Sequence, residues 1–305
     1  MVEILSEKED KLPKRVLRLV EARKEILDSV WGPQRLYNHS FLCSVGLPHR
    51  ALPDTQRTYV KSSGAISLQL TAGSLPTSTG GFQDVGIPYG PRARLLLLWL
   101  CSQAVLNRTA QVEVEDSFTA FARALGIGTC GKSLKSLRNQ VARMSVVSMR
   151  LAKRGDQCVE TFQAPIFSRF QAEYPTDHRQ TTLFPSFVEF SHEFYISLIE
   201  HAVPLRIEAI QALTHSSRAL DVYCWLAHRL WRLDRNQKIK WTSLRFQFGS
   251  RTQQLDGFKK MFRVALKQVL CVYPEANVSV AYGGVIIKPS KPPVPMKRRT
   301  RGLLS

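Results

Sequence analysis

The chain has 305 residues, of which 44% are hydrophobic, and its formal net charge is +19 at pH 7. This length accommodates two domains with their own cores, and the hydrophobic content excludes an intrinsically disordered protein. So positive a charge favours a polyanionic partner, either nucleic acid or an anionic membrane surface. No apolar run approaches the roughly 20 residues of a membrane-spanning helix, so we expect no membrane span.

The six cysteines are widely spaced and include no Cys-x-x-Cys pair. Several fall at apolar positions of predicted helices, where a free cysteine behaves as a small hydrophobe. The N-terminal sequence MVEILSEKEDK lacks the features of a signal peptide. We therefore expect a protein of a reducing cytoplasm with no disulfide, no metal site and no cofactor.

Residues 1–84 are predicted to form an N-terminal extension, and its first 40 residues are assigned no role beyond their charge. Residues 14–30 alternate leucine and valine with arginine and lysine, which predicts an amphipathic helix. Residues 65–70 (AISLQL) are a strand candidate.

Residues 86–154 predict helix, strand, helix, turn and helix. Pro91 fits the first turn of the first helix, and the alternation of QVEVE predicts a strand. Ser117 can cap the second helix. The third helix is predicted to carry one apolar side, through Leu134, Leu137, Val141, Met144, Ser148 and Leu151. This order is typical of a winged helix-turn-helix, in which the third helix enters a DNA groove.

The apolar runs between residues 157 and 190 are interpreted as the two wing strands of this unit, with 173–180 as a polar tip. Ser191 can cap the helix that follows.

The same order of elements recurs near the C-terminus. Residues 218–233 predict a helix, 238–241 a short strand, and 255–270 a long helix, with Thr242 as the cap of a small helix in between. Two alternating runs joined by Gly283-Gly284 predict a hairpin, which would be the wing. We interpret the recurrence as an internal duplication that gives an α+β, predominantly helical protein of tandem winged helix-turn-helix domains.

The sequence of residues 126–133, GIGTCGKS, matches the P-loop pattern G-x-x-x-x-G-K-[ST]. A P-loop needs a strand that delivers the glycines, and an acidic residue after a later strand to hold magnesium. Here a helical segment precedes Gly126 and no such strand follows. We interpret the match as the glycine-rich turn of a helix-turn-helix.

A cationic stripe on the helix 255–270 is the strongest candidate for DNA contacts. It consists of Lys259, Lys260, Arg263 and Lys267. The preceding helix and turn add Arg245, Arg251, Thr252 and Gln253. The third helix of the first unit presents a similar set, Lys132, Lys135, Arg138 and Asn139. A solvated face of an ordinary surface helix is the alternative interpretation of each set.

Catalytic chemistry finds little support in the sequence. The seven histidines include no His-x-His pair, and the carboxylates of Glu113 and Glu115 alternate on a predicted strand. A nicking enzyme and a P-loop ATPase are therefore the disfavoured alternatives to a non-enzymatic DNA-binding protein.

Five segments together resemble the RepA-type replication initiators of proteobacterial plasmids: IPYGPRARLLLLWLCSQAV, SLRNQVARM, FYISLIEHAVPL, ALDVYCWLAHRL and FKKMFRVALKQVLCVYPEANV. The resemblance runs in the same order from about residue 47 to residue 289. It implies a tandem winged-helix protein that binds double-stranded DNA at repeated origin sites (iterons) and helps to open the origin. It also implies that the protein acts together with the host initiator and the replicative helicase, and that the protein represses its own promoter.

By the same resemblance, a homodimer in equilibrium with monomer is expected, with residues 85–203 for dimerisation and auxiliary DNA contacts. Residues 204–290 would be the main DNA-binding domain. Residues 291–305 lie outside the resemblance, and their prolines and run of lysine and arginine predict a basic disordered tail. A winged-helix transcriptional regulator without replication activity is the remaining alternative.

Overall fold

The computed structural model describes residues 13–29, 35–77, 80–114, 118–154, 159–173, 184–250 and 254–295. Helices combine with sheets whose strand pairs are all antiparallel among the described residues, which confirms the α+β class. The N-terminal segment contains, in chain order, α1 (Lys14–Asp28), β1 (Arg35–His39), α2 (Ser40–Ser44), β2 (Thr58–Ser63), β3 (Ile66–Thr71), β4 (Ser74–Pro76) and β5 (Phe82–Asp84).

The first unit follows directly. Its elements are α3 (Gly90–Asn107), β6 (Gln111–Glu113), α4 (Phe118–Ala124), α5 (Gly131–Ser145), β7 (Ser148–Arg154), β8 (Val159–Pro165), β9 (Phe167–Glu173), β10 (Phe184–Phe190) and α6 (His192–His201). Pro91 lies in the first turn of α3, and the Ser191 side chain accepts a hydrogen bond from the Phe194 amide at the start of α6, both as predicted. The predicted cap Ser117 lies outside the described residues.

The second unit repeats this order. Its elements are β11 (Ala202–Arg206), α7 (Ile207–Leu213), α8 (Ser217–Arg229), a 3₁₀ turn (Leu230–Arg232), β12 (Gln237–Lys240), α9 (Trp241–Phe248), α10 (Leu255–Val272), β13 (Val278–Ala281) and β14 (Gly284–Ile287). The predicted cap of α9 is wrong. The helix begins at Trp241, because β12 stays paired with β14 up to Lys240, and Thr242 lies within the first turn.

The two units share one sheet topology. In each unit, the strand that precedes the helix pair forms a three-stranded sheet with the hairpin that follows it. The strand order is β12-β14-β13 in the second unit and β6-β10-β9 in the first. All these pairings are antiparallel. Each unit is therefore winged-helix-like, and the matching order supports the interpretation of an internal duplication.

The first unit also contains an inserted hairpin, β7-β8, that the sequence patterns did not predict. They assigned part of β7 to the third helix and β8 to the wing. β7 and β8 pair with each other, and β7 continues onto β3 of the N-terminal segment to give the sheet β2-β3-β7-β8. Val159 and Phe162 therefore belong to this sheet rather than to the wing, which is formed by β9 and β10. The chain passes from one sheet to the other at Ile166, which is fully buried.

The insertion also shortens the third helix of the first unit. The apolar stripe predicted to run through Ser148 and Leu151 continues as a strand, because α5 ends at Ser145. Leu151 is buried opposite Leu68 of β3, so its apolar position belongs to a period of two rather than to the helical period.

The N-terminal segment is built into both units. α1 buries Leu19, Ala22 and Ile26 and packs against α7 and α10 of the second unit. β1 pairs with β11, while β2 and β3 extend the inserted sheet of the first unit. The first 40 residues, which were expected only to carry charge, thus contribute buried core residues. The boundary of the N-terminal extension at residue 84 stays a prediction.

A buried ion pair joins α3 of the first unit to α8 of the second. Nε and Nη2 of Arg94 donate to the two carboxylate oxygens of Asp221 at 2.6 and 2.8 Å. The remaining donors reach the carbonyls of Leu47, Pro48 and Gly90 at 2.5 to 3.1 Å. Arg94 is 6% exposed. Because every donor is satisfied, the pair fixes the two units and the N-terminal segment in one arrangement.

Candidate nucleic-acid interface

Helices α9 and α10 are held together by aromatic side chains. The ring of Phe262 lies between those of Trp241 and Phe248, at centroid distances of 5.9 and 5.7 Å, and Phe258 follows at 5.5 Å. Phe248 in turn meets Trp225 of α8 edge-on at 5.3 Å. These contacts fix the angle at which α10 leaves the helix pair and so hold its outer face in a defined position.

The end of α9 is braced by the N-terminal segment. Its last carbonyls have no partner within the helix, and two side chains supply donors. His49 Nε2 donates to the Phe248 carbonyl at 2.8 Å, and Lys61 Nζ donates to the Gly249 carbonyl at 2.5 Å. Burial lowers the pKa of Lys61 to about 8. The C-terminal end of α9 is therefore supported from outside its own unit.

Helix α10 divides into a buried and an exposed face, as predicted. Lys260, Arg263 and Lys267 are exposed, while Lys259 is half-buried. Lys259 Nζ also donates to the Asp256 carboxylate at 2.8 Å, and this bond lowers the pKa of the Asp256 carboxyl group. The four predicted cations thus share one helix but not one environment, because Lys259 is neutralised locally by its acidic neighbour.

Arg263 also has a partner within the protein. Its guanidinium lies over the ring of Trp241, 5.5 Å from the centroid, in cation–π geometry. Arg245 of α9 is half-buried, and its Cγ lies beside Gly249, close to the start of α10. The remaining predicted residues, Arg251, Thr252 and Gln253, lie outside the described residues.

The wing lies directly after α10. β13 and β14 are joined by Tyr282 and Gly283, and Tyr282 is 98% exposed. Gly283 has a φ of 80°, which favours glycine, whereas Gly284 is already part of β14. A Cβ on Gly284 would lie 2.1 Å from the Ile239 carbonyl oxygen. Both glycines of the predicted hairpin are therefore required, one for its conformation and the other for close strand contact.

Helix α5 presents the second predicted set. Lys132, Lys135 and Asn139 are exposed, and Arg138 is half-buried. The side-chain amide oxygen Oδ1 of Asn139 accepts a hydrogen bond from Arg143 Nε at 2.7 Å. The Arg143 guanidinium continues to the Ile87 carbonyl at 3.2 Å and lies over the Tyr89 ring. Part of this polar face is thus used to hold α5 to the start of α3.

The P-loop-like segment has a helix on both sides. α4 ends at Ala124, Gly126 takes a φ of 66°, and α5 begins at Gly131. A Cβ on Gly126 would face Gln211 and Thr214, which places this turn against α7 rather than around a phosphate. Among the described residues, no group of three or more His, Cys, Asp or Glu could hold a metal ion. None of the described helices is long and apolar enough to span a bilayer.

Comparison with known families decides what kind of protein carries this interface. The family model described as plasmid encoded RepA protein matches residues 87–243, just over half of the 305-residue chain. The chain belongs to the RepA family of plasmid replication initiators. The matched range runs from the start of α3 to the start of α9, so it covers the helix pair of the first unit and the Arg94–Asp221 junction.

Solved structures extend the similarity of this RepA family member beyond the matched range. Two crystal structures of domains 2 and 3 of RctB superpose with TM-scores of 0.52 and 0.50, at 10% and 11% sequence identity. Each covers 82% of this chain, and 98% and 96% of the respective neighbour. At such low identity the likeness shows a shared fold. No curated protein matches the sequence.

Sequence reasoning missed the residues that position the interface. Arg94 directly precedes the apolar run LLLLWL, and Asp221 is the lone charge in ALDVYCWLA. A charge at such a position is costly unless it is paired, so these two residues could have been predicted as partners. His49 and Lys61 carried no comparable signal, because they lie in a segment with no regular pattern.

Proposed function

We propose that the protein is a DNA-binding replication initiator that recognises repeated sites, or iterons, in a plasmid origin. The observation that supports this most directly is the exposed face of α10. This face carries Lys260, Arg263 and Lys267, and α10 itself lies between the braced end of α9 and the wing. The net charge of +19 is of the right sign for a DNA partner. Membership of an initiator family makes a plasmid origin the expected target.

Different roles for the cations follow from their chemistry and surroundings. Lysine acts as a point charge, so Lys260 and Lys267 would contact phosphates. Arginine can bind guanine with two hydrogen bonds, so Arg263 would read a base. Its position over Trp241 limits its freedom before DNA arrives, which would reduce the entropy cost of that contact. Lys259 and Arg245 would have auxiliary roles, and Arg251, Thr252 and Gln253 remain predicted contacts.

The first unit would serve mainly in dimerisation, with auxiliary DNA contacts from Lys132 and Lys135. Its inserted sheet β2-β3-β7-β8 distinguishes it from the second unit and supplies additional ordered surface. In this proposal a homodimer in equilibrium with monomer represses its own promoter. The origin-bound protein opens adjacent DNA with the host initiator and helps to recruit the replicative helicase. It would act without catalysis, in the bacterial cytoplasm.

A transcriptional regulator is the second candidate, because the same helix face would suit a promoter. An ATPase is disfavoured by the helix α4 that precedes Gly126. Maintenance of an origin plasmid separates the initiator from the regulator, since a regulator alone would not sustain replication.

The test is nuclease footprinting of the full-length protein on plasmid DNA flanking its gene. Several protected sites with the same sequence and regular spacing are expected. Lys260→Ala should weaken protection at all of them. A single protected site at the promoter, together with failure of the protein to sustain a plasmid that carries the flanking DNA, would favour the regulator instead.

A further inference from the structure

The exposed face of α10 is chemically asymmetric. At 3.6 residues per turn, Lys260 and Lys267 lie along the middle of this face. Lys259 and Arg263 lie on one side of that row. The residues on the other side are uncharged, namely Gly257, Met261 and Val264. The cationic stripe of the sequence is therefore bordered by an apolar strip.

This apolar strip is exposed, although the core side of the helix is already complete. Val264 is 47% exposed and Met261 is 45% exposed, whereas Phe258, Phe262 and Val269 on the opposite face are fully buried. Gly257 is also exposed, and a Cβ there would meet nothing within 4 Å. Because this strip lies directly beside the row of lysines, a polyanion bound to the lysines would also cover Val264 and Met261.

We propose that Val264 and Met261 read thymine by contact with its C5 methyl group in the major groove. This inference rests on the proposed DNA-binding function and names the bases that α10 selects. Among the four bases thymine alone presents a methyl group in the major groove, and apolar side chains recognise it by contact. The strip thus confers a preference for A·T pairs that the lysines cannot supply.

The geometry of the helix suits two adjacent contacts. Residues three apart on a helix rise by about 4.5 Å, close to the spacing of about 3.4 Å between successive bases. Val264 is β-branched and holds one rotamer in a helix, so its methyl groups have a fixed position. Met261 is flexible and adapts to the neighbouring step. Gly257, with no side chain, permits close approach at the N-terminal end of the strip.

The experiment compares thymine with uracil, which lacks only the C5 methyl group. A random pool of 30-base-pair duplexes is selected with the full-length protein, and the most enriched duplex is amplified with dTTP or with dUTP. We expect the wild-type protein to bind the thymine duplex about fourfold more tightly for each contacted methyl group, from the transfer free energy of one methylene. Val264→Ala and Met261→Ala should each reduce this thymine-to-uracil ratio.

Ile199→Ala is the matched control, because Ile199 is a similarly exposed aliphatic residue, 43% exposed, on α6. This variant should keep the wild-type ratio. Uracil changes other properties of the duplex as well, so the change in ratio between variants, rather than the ratio itself, carries the conclusion.

The possible failures are distinguishable. If no duplex is enriched, both the DNA-binding function and this inference are wrong. If a duplex is enriched but Val264→Ala and Met261→Ala keep the wild-type ratio, the function stands and the thymine contact is wrong. If Val264→Ala lowers the unfolding temperature and weakens both duplexes by the same factor, Val264 is a packing residue and the inference is overturned.

Discussion

Helices α5 and α10 occupy the same place in the two units but lead into different surroundings. α10 is followed directly by the wing strands β13 and β14, and the outer face of α10 presents lysines and an apolar strip. α5 is followed by the inserted hairpin β7-β8, and part of its polar face is bound by Arg143 to the start of α3. The two copies share a topology, yet the second alone keeps its third helix and wing free of an inserted sheet. The two units thus share a scaffold, while their surfaces differ.

The largest effect is expected at the junction between the two units, where Arg94 pairs with Asp221. Asp221→Asn should lower the free energy of unfolding by about 3–5 kcal/mol, because it leaves the Arg94 guanidinium buried without its counter-charge. Thermal and urea unfolding of the variant measure the loss. Asp234→Asn, at an exposed position, is the control. A loss below about 1 kcal/mol would contradict a structural role, given the usual cost of breaking a buried pair.

Acid should weaken the same junction. Burial first, and then the charge of Arg94, lowers the pKa of His49 to about 4. Burial likewise lowers the pKa of His39 to about 3 and of His228 to about 4. Between about pH 6.5 and pH 4 the unfolded chain binds protons that the folded protein does not, so stability falls as pH falls.

For His49 alone the loss is on the order of 3 kcal/mol, at about 1.4 kcal/mol per pKa unit. Unfolding measured from pH 7 to pH 4 should show a shallower decline in His49→Gln, which keeps a donor for the Phe248 carbonyl. His192→Gln on the surface of α6 is the control. An unchanged slope in His49→Gln would exclude His49 as a source of the acid sensitivity.

The wing of the second unit offers a more local test. Gly284→Ala should destabilise the protein by about 1–3 kcal/mol, because the new methyl group overpacks against the Ile239 carbonyl and pushes β14 away from β12. Gly283→Ala should cost about 1–2 kcal/mol, since only the positive φ opposes it. Urea unfolding ranks the two, and Ser279→Ala is the control. The reverse ranking would show that strand contact does not limit this hairpin.

Salt dependence compares the two helices directly. Lys260→Ala should reduce the slope of log K against log salt by roughly 0.9, the value for one lost phosphate contact, on cognate and on random DNA alike. Lys135→Ala should change the slope by less, if the second unit carries the main contacts. Equilibrium binding at several salt concentrations measures both slopes. Equal reductions would show that the two units contribute phosphate contacts equally.

The smallest effect is expected at Lys132. Lys132→Ala should leave nucleotide binding at background, because α4 precedes the glycine turn where a P-loop has a strand. Binding of a fluorescent ATP analogue and phosphate release from ATP are the measurements. An ATPase activity that disappears in the variant would restore the P-loop interpretation.

Local patterns in the sequence were sufficient for most elements of the two units. The periods of 3.6 and 2 residues predicted α1, α3, α8, α10 and β3 close to their observed bounds. Of these helices, α1 and α10 bury one face, whereas α3 and α8 are buried on almost every side. The candidate cations on α10 followed from the same period, and so did the separation of its buried face from its exposed face. The order of elements also made the duplication visible without any structure.

The tertiary structure decided what joins those elements. In the sequence, the apolar stripe of α5 continues through Leu151, because an apolar residue fits a buried strand as well as a buried helix. The pairing of β7 with β3 shows that Leu151 belongs to a strand. No pattern in the N-terminal segment predicts which elements it contacts. Only the structure shows that α1 packs on α7 and α10, and that His49 and Lys61 bond to the end of α9. Local periodicity determines which face of an element is buried, whereas contacts between residues distant in sequence determine what covers that face.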